Sequence, residues 1–333
     1  MVALGIDLGG TKIEIIALER SGRQLLRRRR PTPRGNYQGT VATVRDLVTR
    51  AETELGVRGT VGCGTPGAIS PATGRLKNAN STWLNDRPLD RDLAEALGRP
   101  VPIANDADCF ALSEAIDGAA AGAATVFGVI LGTGVGGGIA VHGEALFGPN
   151  AIAGEWGHNP LPWPEPHELP GSPCYCGRCG CIETWLSGPG LARDYRERTG
   201  RDADPPEITA AAAAGERAAT DVLHAHANRM ARALATVINI LDPEVIVLGG
   251  GLSRLDHLYA EVPACWGRYV FSDTVRTRLV PPAFGDSSGV RGAAWLGARS
   301  NSDGKDRIAP PDQHSGRVRN SSCSSVASSR KSP

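Results

Sequence analysis

Apolar residues run almost unbroken through VALGID, pause at GGTK, and resume as IEIIALE. That pattern reads as a buried strand, a Gly-rich turn and a second strand rich in β-branched residues. A similar unit returns as TVFGVILGTGVGGGIAVHG, so the chain is expected to carry a duplicated architecture. Between the two copies, TVATVRDLVTRAETEL has the spacing of an amphipathic helix, GTVGCGT reads as a strand, and residues 66–85 read as a loop. VPIA is a strand closing on Asn105 and Asp106, and ADCFALSEAIDGAAAG a helix after it. HAHANRMARALATVINIL continues the helical spacing until Pro243 stops it before the buried strand EVIVLGGG, and GDSSGVRGAAWLGA reads as a glycine-opened final helix. The alternation of strands and helices predicts an α/β fold.

The tail after Arg299 turns to Ser, Arg, Asn, Asp and Pro. With few apolar residues it cannot offset an ordering cost of about 1 to 2 kcal/mol per residue, so disorder is expected over 299–333. The other 298 residues are enough for a large core, in one domain or two. A net charge of +1 supplies no field to attract nucleic acid or an anionic membrane. The run Arg27 to Arg30 reads as a solvated hairpin and loop rim. The amino terminus has no basic flank and soon meets Asp7, and no apolar run approaches the roughly 20 residues of a membrane span, so a cytoplasmic protein is expected.

In a reducing compartment, eight cysteines argue for metal coordination over disulfides, because four of them crowd into eight positions. Cys174, Cys176, Cys179 and Cys181 form C-x-C-x2-C-x-C, and His158 stands a short loop upstream as a nitrogen donor. Zinc suits this donor set. Glu155 and Glu183 bracket the cluster, where a metal would hold two hydrogen-bond acceptors in place for a polyhydroxyl ligand. Cys63, Cys109 and Cys265 read as buried small apolar residues, and Cys323 lies in the tail.

Gly132, Gly134 and Gly137 satisfy G-x-G-x-x-G, yet the segment after them reads as a returning strand. A dinucleotide fingerprint must run from strand into helix, so these glycines belong to a hairpin and a nicotinamide oxidoreductase is disfavoured. A Gly-rich hairpin either meets the conformational needs of a tight turn or converges backbone amides on a phosphate. Two matched loops, each with a hydroxyl (Thr11 and Thr133) and the first ending in Lys12, favour phosphate. Asp7, at a strand end, either holds a hydrated Mg ion or satisfies turn amides. Gly249 to Gly251 suit either a nucleotide lying against the backbone or close helix packing. Asp106 suits either a helix cap or a base taking a proton from a sugar hydroxyl.

DLGGTK at 7–12, GTPG at 64–67, NDA at 105–107, GTGVGGG at 132–138, GEWGH at 154–158, CxCGxxGCxE at 174–183 and the glycines at 249–251 together resemble the ROK family of bacterial sugar kinases and sugar-responsive repressors. The resemblance covers residues 1–298, and KNANSTWLN, GEWGHNPLPW and NILDPEVIVLGGG resemble its fructokinase (manno-fructokinase) branch. It implies an actin-like ATPase (ribonuclease H-like) fold: an N-terminal α/β domain over 1–118 joined by the C-terminal helix 289–298, and a larger domain over 119–288. It implies Asp106 as general base, with Asn105, Glu155, His158, Glu183, Gly67 and Asn80 at the hexose. Asp7, Gly9, Gly10, Thr11, Lys12, Gly132, Thr133, Gly134, Gly249 and Gly250 would face ATP and Mg2+, and His158, Cys174, Cys176 and Cys181 a structural zinc. It also suggests a homodimer.

Cys179 occupies a position that the family motif leaves free, and four cysteines without His158 are the alternative ligand set. The chain opens directly on its first strand, so no DNA-reading head is expected. A non-catalytic sugar sensor would not need Asp106 or the two glycine loops. The local likeness favours fructose, with mannose, glucose and N-acetylglucosamine as the alternatives.

Overall fold

The computed structural model describes residues 2–300, so the expectation of a disordered tail, and Cys323 with it, lies outside the described residues apart from its first two positions. The first half of the chain forms β1 (Val2–Leu8), β2 (Lys12–Glu19), β3 (Gln24–Pro31), α1 (Tyr37–Leu55), β4 (Thr60–Thr65), the short pair β5 (Ala68–Ile69) and β6 (Leu76–Lys77), α2 (Leu89–Leu97), β7 (Ile103–Asn105) and α3 (Asp106–Ile116). The second forms β8 (Thr125–Leu131), β9 (Val135–Val141), β10 (Glu144–Ala145), α4 (Ile182–Leu186), α5 (Gly188–Thr199), α6 (Pro205–Ala213) and α7 (Arg217–Leu241). It continues through β11 (Val245–Gly249), α8 (His257–Trp266) and β12 (Arg278–Val280) to α9 (Ser288–Ser300).

The duplication read from the glycine turns extends to whole sheets. One runs β3-β2-β1-β4-β7 and the other β10-β9-β8-β11-β12, strand for strand in the same order. In each, the strand before the glycine turn pairs antiparallel with the strand after it and parallel with the next strand of the sheet. Residues 66–85 are not wholly loop, since β5 and β6 pair within them, and the final helix is longer than 289–298.

The basic run is strand β3, whose two-residue period puts Arg27 and Arg29 on one side. Both bond the carboxylate of Glu14, which is 2% exposed, so these two arginines neutralise a buried charge. Arg28, Arg29 and Arg30 are nonetheless exposed, as a solvated rim would be, and Arg28 meets Glu54 at 2.8 Å.

Helix α3 positions the site because it touches both sheets. A Cβ on Gly64 of β4 would meet Cys109 Sγ at 3.2 Å, and one on Gly128 of β8 would meet Ala111 at 2.9 Å. Beside α3 on the same face, α9 lies so close to the first sheet that a Cβ on Gly62 would stand 2.1 Å from the Ala293 carbonyl oxygen. Such contact requires glycine. Cys63 and Cys109 are buried as small apolar residues, whereas Cys265 is half-buried.

Candidate functional site

The first glycine turn is built from outside itself. Thr32 Oγ1 donates to Gly9 O at 2.7 Å, while Arg34 donates to Gly10 O at 3.0 Å and to Thr11 Oγ1 at 2.9 Å. Nothing in the sequence marked Arg34, whose reach back depends on β3 returning beside the turn. Lys12, 3.8 Å from Glu14, keeps half its side chain exposed. In the second hairpin, Glu183 Oε2 accepts from Val135 N at 2.9 Å and Gly188 N donates to Gly132 O at 2.8 Å. Glu183 therefore anchors the hairpin to α4 through one carboxylate oxygen.

A cavity of about 970 Å3 opens beside this hairpin, lined among others by Gly132, Thr133, Gly188, Gly251, Leu252 and Leu255. Its size and apolar walls suit a nucleotide base and ribose. The three glycines at the end of β11 divide their roles. Gly249 packs on the Phe110 ring, where a Cβ would stand 2.6 Å away. Gly250 turns the chain at φ +79° against the Leu131 carbonyl, and Gly251 faces the cavity. Gly250→Ala would place its methyl 2.3 Å from Leu131 O, so it should cost about 1–3 kcal/mol in strain and raise the ATP KM. Urea melts and ATP titrations check this.

Asn105, not Asp106, caps α3: its Oδ1 accepts from Asp108 N at 2.6 Å. Asp106 is the first helical residue, and its carboxylate takes the adjacent Ala107 amide at 2.8 Å and its own backbone amide, with no side chain among the described residues bonded to it. It is exposed to solvent yet hemmed in by protein, and that crowding raises its pKa. Asp7 is pushed up to about 6, first by burial and then by the charges of Asp106 and Glu14. Asp108 is pushed up to about 8 by burial, Asp106 and Glu155. Glu155 is raised too, first by burial and then by the charges of Asp106 and Glu183, with Lys77 holding it down. Asp7, Asp106, Glu155 and Glu183, read from distant motifs, thus share one electrostatic field. A cation bound with the phosphates would relieve the repulsion among these carboxylates.

Trp156 carries Glu155 and His158 into place. Its buried indole donates to Gly136 O at 3.1 Å and meets Phe127 edge-on at 5.5 Å. His158, Cys174, Cys176 and Cys181 present donor atoms that all lie within 4.8 Å of one another. Tetrahedral zinc with bonds near 2.3 Å to sulfur requires sulfur–sulfur edges of roughly 3.8 Å. Cys176 and Cys181 sulfurs are 3.6 Å apart, and His158 Nδ1 is 3.5 Å from Cys174 Sγ, so these residues fit zinc. Cys179 is exposed and outside the group. His158 Nε2, on the other side of the ring, bonds the Tyr175 hydroxyl at 2.9 Å.

The loop between His158 and Cys174 is tied down by charges within α7. Glu168 receives Arg229 and Arg232, each at 2.7 Å, and Arg229 also bonds Asp194. A cavity of about 600 Å3 lies here, but these lining charges are already paired with one another. The two arginines three apart in an apolar helix were the signal for this anchor.

The arrangement defines a class: two similar sheets, each with a glycine hairpin, around a carboxylate at the start of a shared helix. The chain belongs to the ROK family, whose model matches residues 3–300. It is 39% identical over 296 residues to an N-acetyl-D-glucosamine kinase of Yersinia pseudotuberculosis, covering 88% of this chain and 97% of that one. A ROK hexokinase from Thermus thermophilus superposes with a TM-score of 0.80 at 32% identity, covering 91% of this chain and 100% of that one. A ROK family glucokinase from Streptomyces griseus, in complex with glucose and AMPPNP, does so with a TM-score of 0.70 at 26% identity, covering 90% and 100%. The fold is the actin-like ATPase fold. No helix among the described residues is long and apolar enough to cross a membrane.

Proposed function

We propose that this protein transfers the γ-phosphoryl group of ATP to the primary hydroxyl of a 2-acetamido hexose, N-acetyl-D-glucosamine first. The observation that carries the reading is Asp106, freed from capping by Asn105 and exposed at the start of the helix shared by both sheets. Its carboxylate takes the proton of the sugar hydroxyl as the oxygen attacks the γ-phosphorus. The bond to the β-phosphate oxygen breaks and ADP leaves. Crowding brings the base nearer the operating pH, where a general base works best.

Phosphoryl transfer asks mainly for position and charge neutralisation. The hairpins at Gly9 to Lys12 and Gly132 to Gly134 offer amides to the phosphates, and Gly251 and Leu252 receive the nucleoside. Mg2+ held through Asp7 supplies neutralising charge when bound. Asn105, Glu155 and the free oxygen of Glu183 take the sugar hydroxyls, and His158 Nε2 does so where the sugar displaces the Tyr175 hydroxyl, with Gly67 and Asn80 beside them.

The likeness of GEWGHNPLPW and KNANSTWLN favours fructose, but 39% identity over nearly the whole length of an amino-sugar kinase supports the acetamido sugar ahead of it. ADP release should be measured with MgATP and N-acetylglucosamine, N-acetylgalactosamine, glucose, mannose and fructose. We expect kcat/KM for the best acetamido sugar to exceed that for fructose about 100-fold. Fructose matching or surpassing it would overturn the sugar assignment, and no sugar-dependent ADP from folded protein would overturn the kinase.

A further inference from the structure

Segment 66–80, from the first half of the chain, and segment 146–158, from the second, both carry residues assigned above to the sugar. We infer that Lys77 is a positioning residue that clasps these two segments together and thereby sets the affinity for sugar. The inference rests on the sugar-binding reading just given.

Its basis is a hydrogen bond between the halves: Lys77 Nζ donates to the backbone carbonyl of Asn150 at 3.1 Å across 73 residues of sequence. Lys77 is the last residue of β6, paired with Ala68 of β5. Around it the first segment is stiff. Gly67, at φ +80°, is packed so closely that a Cβ would stand 2.2 Å from the Lys77 carbonyl oxygen. Asn85 grips Ala79 on both backbone groups, at 2.9 and 3.0 Å, beside Asn80. A bond at Lys77 therefore fixes Gly67 and Asn80 as well.

The receiving loop is fixed at its ends, where Leu146 N donates to Ile139 O at 2.9 Å and a Cβ on Gly154 would stand 2.4 Å from Gly137 O, and between them it closes on itself through Ala151 N to Gly148 O and Ala153 N to Phe147 O, each at 3.2 Å. Residues 146–154 form no helix or strand, and they turn through positive φ at Gly148, Ala151 and Gly154 before reaching Glu155. Leu146, Phe147 and Ile152 are exposed. The Lys77 ammonium bonds a neutral carbonyl, so its charge remains available to Glu155, which it draws toward the ionised form. A lysine here both holds the loop and favours the acceptor at its end. Preorganising both walls of a site in this way strengthens binding by removing the cost of ordering them.

Lys77→Met and Lys77→Arg in the full chain test this, with calorimetric Kd for N-acetyl-D-glucosamine, KM for sugar and ATP, and thermal melts. Methionine keeps the stem and removes the donor. It should raise sugar Kd and KM about tenfold, as expected for loss of a charged donor, and leave ATP KM within about twofold and the melting temperature unchanged. Arginine retains reach and charge and should return sugar Kd to within about threefold of wild type. Unchanged sugar Kd in Lys77→Met would overturn the clasp, as would equal losses of sugar affinity, ATP affinity and stability. If wild type binds sugar but releases no ADP, the kinase reading falls while the Kd comparison still decides the clasp. If wild type binds no sugar, both fall.

Discussion

Asp106→Asn should lower kcat for sugar phosphorylation about a thousandfold, the middle to upper range for loss of a positioned general base. It should leave sugar and ATP affinity within a few fold. The substitution keeps an oxygen to accept from Ala107 N, and the cap of α3 is untouched because Asn105 supplies it. Stability should hold or improve. Asp7 and Asp108, pushed up to about 6 and about 8 from 3.8, release their protons later in the folded protein than in the unfolded chain. Folded protein therefore binds more protons, and these two groups make stability fall as pH rises from near 4 through 8. After burial, the charge of Asp106 is the next cause of both shifts. Removing it should flatten the decline, so Asp106→Asn should gain melting temperature relative to wild type more at pH 8 than at pH 5. Single-turnover phosphoryl transfer and melts at the two pH values check the pair of effects. A variant retaining a tenth of wild-type kcat would remove Asp106 from the proton transfer.

That opposition between activity and stability at one carboxylate shows which parts of the molecule a sequence discloses. The strands around both glycine turns were legible because their apolar runs are buried along nearly their whole length, as in Leu4, Ile6, Ile13 and Ile15. The cysteine cluster was legible from spacing alone, since ligands for one ion must be close in chain or in space. The two-residue β10 and three-residue β12 were not, because strands so short are defined by the neighbours they pair with. Helices α4 to α6 were also missed, where polar and alanine-rich stretches give weak periodicity. At the site, the types of residue were readable but their division of labour was not. Asn105 and Asp106 are adjacent, and only the backbone path decides which one caps. Glu183 was read as a sugar ligand; one of its oxygens also holds Val135 N, a contact made by two segments 48 residues apart.

Metal removal should have the second large effect. Purified protein is expected to carry one zinc per chain, and stripping it with a chelator should raise the sugar KM at least tenfold while ATP binding persists. Cys181 adjoins α4, which carries Glu183, and His158 ends the turn that begins at Glu155. The ligands thus clamp both carboxylates into register. Small zinc modules draw about 10–16 kcal/mol from ligation, enough to decide whether residues 158–181 hold one conformation. The wall of the proposed nucleotide cavity at Gly251 and Leu252 follows β11, away from the cluster, whereas Gly132 and Thr133 reach α4 through Glu183, so any loss of ATP affinity should be smaller than that for sugar. Cobalt substitution distinguishes the ligand sets, since three sulfurs with one imidazole absorb differently from four sulfurs. Cys179→Ser should retain the metal and the cobalt spectrum, while Cys176→Ser and His158→Ala should lose affinity for it. The reverse, with Cys179→Ser losing the metal and His158→Ala keeping it, would establish a four-cysteine site and leave His158 to the sugar alone.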